Sequence, residues 1–439
     1  MEETKNNLET QTSIINIDEW NHQEINKKDY YGIHNHLLSE VCVSSKTLLK
    51  NHHLFSKQIK NRNKISNQES SGRCWIFAGV NVIRNKFIFD NNLKNDFEYS
   101  QSYLLFWDKF ERVNYYTNLY SKLHNEDEKL DSRLMQHLLK DPLGDGGQWQ
   151  MLVNLIDKYG LVPKSVFPET KHSSNTRGLN MVLTKKLRDY CKQIRENNFN
   201  KEKSLQEIYT LLVKFLGKPP SKFDWEYKDK NDKYNRVNNL TPISFYQKSG
   251  VDLTQYVSIV NDPRVEYNNN YGVNYLNNVE GGKEVKYLNL EMKHIKDLVK
   301  KSIDNDEPVW FGSDVGKFLH SKSNILDKNV FNIEELLDIN FELNKKERID
   351  FGDSLMTHAM AITGYNTDSF GNIDRWEIEN SWGSSGMNEG YYSMSDEWMD
   401  QFVYQIIVNI KFLNSENKNL WNKEIISRHP PWDPMGSLA

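Results

Sequence analysis

The sequence predicts an α+β protein, with helices gathered in its first half and strands in its last third. Two patterns carry that prediction. Residues 72–89 place Trp75, Ile76, Phe77, Val80, Val82, Ile83 and Phe87 around most of the circumference of one helix, which marks it as buried. From about residue 307 the apolar runs become short and β-rich, with glycines between them, as in strands joined by turns. No internal repeat is present.

Taken in order, residues 1–15 are polar and acidic and read as a loosely docked or disordered tail. Residues 98–140 read as helical, with Tyr103, Phe106, Trp107 and Phe110 as their aromatic content. Leu143-Gly144-Asp145-Gly146-Gly147-Gln148-Trp149 is a glycine-rich loop opening an amphipathic helix that Gly160 and Pro163 stop. Residues 176–236 hold 15 Lys and Arg against 8 Asp and Glu, an excess that reads as a solvated helical face. Within them Leu205, Ile208, Leu211, Leu212, Phe215 and Leu216 keep helical spacing, and short β-like runs follow over 240–290. Residues 308–311, 357–365, 376–380, 390–394 and 402–412 are the strand candidates, and an aromatic, proline-containing tail ends the chain. The resulting division is a tail (1–15), a helical part of the core (16–175), an inserted subdomain (176–300), a β part (301–425) and a C-terminal arm (426–439).

Composition narrows the functional classes. The chain has 439 residues, 38% of them apolar and 12% aromatic, enough for a sizeable core. A net charge of −4 and a pI near 6.3 argue against a nucleic-acid or membrane binder. No 18-residue apolar run is present, so no membrane-spanning helix is expected. The start of the chain lacks the basic and apolar segments of a secretory signal. Three cysteines, Cys42, Cys74 and Cys191, are too few and too odd a number for a disulfide framework. A cytoplasmic protein is the expectation. There is no H-E-x-x-H or C-x-x-C spacing, and no metal or cofactor is expected.

Cys74 is the residue whose placement points to chemistry. It stands at the head of the buried helix, six residues after Gln68. Partial positive charge at a helix N-terminus favours a thiolate. A glutamine amide can donate to a developing oxyanion. A thiol nucleophile needs a base, and the base an orienting partner. His358 and Asn380 lie in successive strand candidates, where antiparallel pairing can bring them within hydrogen-bond range. Trp382 then shields their bond from water.

The run Gln68 to Trp75, Thr357-His358-Ala359 and Asn380-Ser381-Trp382-Gly383 resemble the papain-like cysteine peptidases. Within them the chain is most similar to the bleomycin hydrolase and aminopeptidase C group. That narrower likeness rests on Asp145 to Trp149, Tyr159 to Thr170, Pro308 to Lys317 and Trp432 to Gly436, and it is weakest over 1–60 and 176–300. The resemblance implies a papain-like fold with helical and hook-like insertions. It implies Cys74 as nucleophile, His358 as general base and acid, Asn380 as its orienter, and Gln68 in the oxyanion hole with the Cys74 backbone N–H. Gly146 and Gly147 would pair with substrate backbone, at an approach only glycine allows. The C-terminal arm would lie in the cleft, with the Ala439 carboxylate meeting the α-ammonium of a peptide substrate. Ser71 stands where secreted relatives carry a disulfide cysteine, in keeping with a cytoplasmic protein. The group's hexameric barrel implies a homohexamer, with subunit contacts in 176–300. The reading is a cysteine aminopeptidase. Its rivals are a broad endopeptidase or amidase, a nucleic-acid-binding assembly using a basic channel, and a structural assembly with a vestigial site.

Overall fold

A computed structural model describes residues 27–437. Ala439, singled out above, and the 1–15 tail lie outside them. The chain divides into two compact units. The smaller comprises residues 27–44 with Phe331–Phe341. In it the helices Lys27–Asn35 and Leu38–Val41 lead to a bridge between Val43 and Phe331, and Asn332 N–H donates to the Cys42 carbonyl at 2.7 Å.

The larger unit carries the predicted helical and β parts. The helix Cys74–Asp90 is buried over 14 of its 17 residues, because apolar side chains ring it. Beside it run Gln101–Asn125, started by the Ser100 hydroxyl accepting from Tyr103 N–H, and Trp149–Tyr159. The single helical stretch expected over 98–140 is two helices. Asp127 takes a left-handed conformation, φ 58°, and Ser132 caps a new helix, Arg133–Lys140. Arg177–Arg195 and Lys201–Leu216 follow, and Phe223–Lys228 pairs with Tyr234–Leu240 as a separate hairpin.

One mixed sheet of twelve strands forms the rest. At its centre His358–Thr367 runs antiparallel to Val309–Ser313 on one side and to Ile373–Glu379 on the other, with His358 opposite Ser313. Tyr391–Ser395 extends the sheet beyond Ile373–Glu379. In the other direction come Val403–Asn409, Tyr256–Val260, Lys286–Asn289, Asn269–Val273 and Ser427–His429. The short β-like runs of 240–290 therefore hydrogen-bond into the same sheet as His358. The helix Cys74–Asp90 packs on the central strand, and Trp310 donates to the Trp75 carbonyl at 3.3 Å. Among the described residues no helix is long and apolar enough to cross a membrane.

Candidate active site

Helix packing places Cys74 in the first turn of its helix, against the start of the His358 strand. Its sulfur is hydrogen-bonded by backbone of Ala359, the residue after His358, and of Trp75. These bonds favour the thiolate, but burial outweighs them and pushes the thiol up to about 12. His358 is 5% exposed, and burial pulls its imidazole down to about 4. Thiol and imidazole are therefore both neutral at pH 7.

His358 Nε2–H donates to Asn380 Oδ1 at 2.8 Å, which leaves Nδ1 as the basic nitrogen. Asn380 follows directly on the strand Ile373–Glu379, and its Oδ1 also accepts from Ser381 N–H at 2.7 Å. The Trp382 ring lies 4.7 Å from the imidazole at 32°, covering the bond while its own outer side stays 37% exposed. Gln68 is fixed by its backbone N–H to the Ser381 carbonyl, 2.8 Å, and by Ser381 Oγ–H to its Oε1, 2.6 Å. Its amide donates to the Ser71 carbonyl at 2.6 Å. Ser71 donates to the Gln68 carbonyl and accepts from Arg73 Nε–H, and all three cysteines are free thiols.

Packing adds a requirement for glycine in the loop. A Cβ on Gly147 would lie 2.6 Å from the Trp75 ring, so it is the indole beneath it that requires glycine. The Gly146 carbonyl accepts from Arg112, whereas among the described residues no hydrogen bond occupies the Gly147 amide or carbonyl. Gly72, Gly146 and Gly147 line a cavity of about 610 Å³ together with Pro431, Trp432 and Gly436 of the C-terminal arm. The arm is held from several sides. Arg264 forks onto Asp433 at 2.8 and 3.1 Å, Tyr287 donates to the Met435 carbonyl at 3.0 Å, and Trp432 meets the Arg133 guanidinium at 4.2 Å.

Two carboxylates of the site were not singled out from sequence. Glu379, next to Asn380, pairs at 2.6 Å with Arg84 of the Cys74 helix, both fully buried, and so ties the strand Ile373–Glu379 beside His358 to the Cys74 helix. Asp145 sits in the glycine loop and bonds to Gly72 N–H at 3.0 Å. A carboxylate within a glycine-rich turn reads as a turn residue. Its partner Lys109 is one of four buried charged residues on the helix Gln101–Asn125, with Asp108, Glu111 and Arg112.

With this geometry in hand, the comparisons with known proteins agree in one direction. A model of the Peptidase C1-like family matches residues 9–436. The chain is 40% identical to the bleomycin hydrolase of Rattus norvegicus, over 92% of this chain and 93% of that one. It is 41% identical to the aminopeptidase C of Streptococcus thermophilus, with the same shares covered. The crystal structure of PepW from Lactobacillus rhamnosis superposes with a TM-score of 0.90 at 40% identity, covering 94% and 95% of the two chains. The chain belongs to the Peptidase C1-like family: it is a cysteine peptidase, with the papain-like α+β fold.

Proposed function

We propose that the protein is an aminopeptidase acting through a thioester at Cys74. The observation that carries this is the 2.8 Å bond from His358 to Asn380, set beside a buried thiol at a helix N-terminus. His358 Nδ1 takes the Cys74 proton as the sulfur attacks the scissile carbonyl carbon. The oxyanion accepts from the Cys74 backbone N–H and the Gln68 amide. Collapse of the adduct expels the peptide amine, which takes the proton from His358, and leaves an acyl-thioester. Water, deprotonated by His358, adds to the thioester, and the acid leaves as the thiol is restored.

Removal of residues from the amino end is supported by the arm, which lines the same cavity as Gly146 and Gly147, and by the relatives named aminopeptidase C. Ala439 is the proposed partner of the substrate ammonium. The test is an aminoacyl-amide fluorogenic assay run beside the same substrates N-acetylated. Wild type cleaves only the free amines; deletion of Ala439 relaxes that demand. Equal cleavage of both by wild type makes the protein an endopeptidase or amidase instead. The free thiols support a cytoplasmic setting. The proposed homohexamer would show in light scattering as six times 51.8 kDa.

A further inference from the structure

The glycines of the loop have no side chains with which to grip the Cys74 helix, yet the loop lines the cavity beside it. Its backbone is held instead by buried polar groups. Lys109, on the helix Gln101–Asn125 and fully buried, donates to the carbonyls of Leu143 and Gly144 at 2.7 and 2.9 Å and to Asp145 Oδ1 at 2.8 Å. All three of its protons are thus used. Asp145 Oδ1 also accepts from Asn180 at 2.7 Å, and Oδ2 accepts from Gly72 N–H and from the Thr176 hydroxyl. The Asp145 carbonyl accepts from the Trp75 indole at 2.6 Å. One residue therefore joins the loop to two flanking helices, to the turn that presents Cys74, and to the ring on which Gly147 rests. The Lys109 ammonium beside it holds its carboxyl well below the usual carboxylate range, so the tie stays ionised across working pH.

We infer that Asp145, neutralised by Lys109, is a positioning residue for the reaction: it sets where the glycine loop holds a peptide relative to the Cys74 sulfur. The inference rests on the reading of Cys74 as nucleophile. A tie made of fully bonded charges has one preferred geometry, and misplacing a reacting group by 1 Å can cost about 100-fold in rate. Asp145 also has a cost that a mere folding contact lacks, since its negative charge opposes ionisation of Cys74.

The experiment compares Asp145→Asn, Lys109→Met and the double variant in the full-length protein. Three readouts are taken: kcat and KM on an aminoacyl-amide, alkylation of Cys74 by iodoacetamide, and thermal stability. Asp145→Asn should lower kcat/KM by about 10- to 100-fold, while alkylation proceeds at the wild-type rate or faster, because the small probe does not use the loop. The double variant leaves no buried charge unpaired, so it should regain thermal stability without regaining kcat/KM. It also supplies the comparison if Asp145→Asn does not fold. Activity that recovers in step with stability, alkylation that falls in parallel with peptidase activity, or a kcat/KM within twofold of wild type in the folded variant would each overturn the inference. Full activity in Cys74→Ala would instead remove the reading beneath it, and is measured separately.

Discussion

The two walls of the cleft are held in different ways. On the helical wall the glycine loop is fixed by ionised groups whose hydrogen bonds are filled, Asp145 by four donors and Lys109 by three acceptors. On the sheet wall His358 is held by its strand pairing with Val309–Ser313 and by one neutral bond to Asn380. The His358 imidazole stands among neutral partners, whereas the glycine loop on the opposite wall is fixed by a charged pair, and Arg84 with Glu379 ties the two walls together. Such a division separates what pH changes from what it leaves alone: acid acts on the sheet wall first.

The strongest way to break this picture is at the proposed nucleophile. Cys74→Ala should lower kcat by at least about 10⁴-fold while leaving thermal unfolding close to wild type; retained activity would place the chemistry elsewhere. Next is the tie between the walls. Arg84→Met leaves the Glu379 carboxylate buried without its cation, and denaturant unfolding should show a loss of about 3–5 kcal/mol.

pH comes third. The folded His358 titrates near 4, below the ordinary 6.5, so the unfolded chain binds a proton more readily between those values. Its contribution to stability is complete above about pH 6.5 and is lost as pH falls towards 4, about 3 kcal/mol in all for a fully buried ring. The acid limb of kcat/KM should have its midpoint near 4, where His358 becomes protonated and can no longer take the thiol proton. A limb at 6.5 would mean an imidazole open to water. Asn380→Ala should cost about 10- to 100-fold in kcat and move that limb lower, because the bond it removes favours the charged ring. The smallest effect belongs to Trp382→Leu. Its ring covers the His–Asn bond but is partly exposed itself, so less than about 10-fold in kcat is expected.

The residues that announced themselves in sequence were those with unusual chemistry in a telling local context. Cys74 heads an apolar helix, and His358 and Asn380 stand in strand patterns, so their positions followed from periodicity and the distant motifs. The helical first half and the strands after 307 were legible for the same reason. The break at Asp127 was not, because left-handed residues other than glycine leave little trace in hydrophobic spacing. Lys109, Arg84 and Glu379 were also silent, and Asp145 stood out only as part of a motif run. Each looks like an ordinary surface charge until the partner from another element is known, and ion pairing across a fold has no local period. Gly147 was legible from its motif, but its packing was not: the Trp75 ring, remote in sequence, takes the space a side chain would need.

Arg84 and Glu379 stand 295 positions apart, and Cys74 and His358 are separated by almost as much chain. Contacts so distant along a chain close late, after local helices have formed. A partly folded molecule then carries a thiol without its base, and a base without its orienting strand in register. Peptidase competence therefore depends on contacts that join the two ends of the chain.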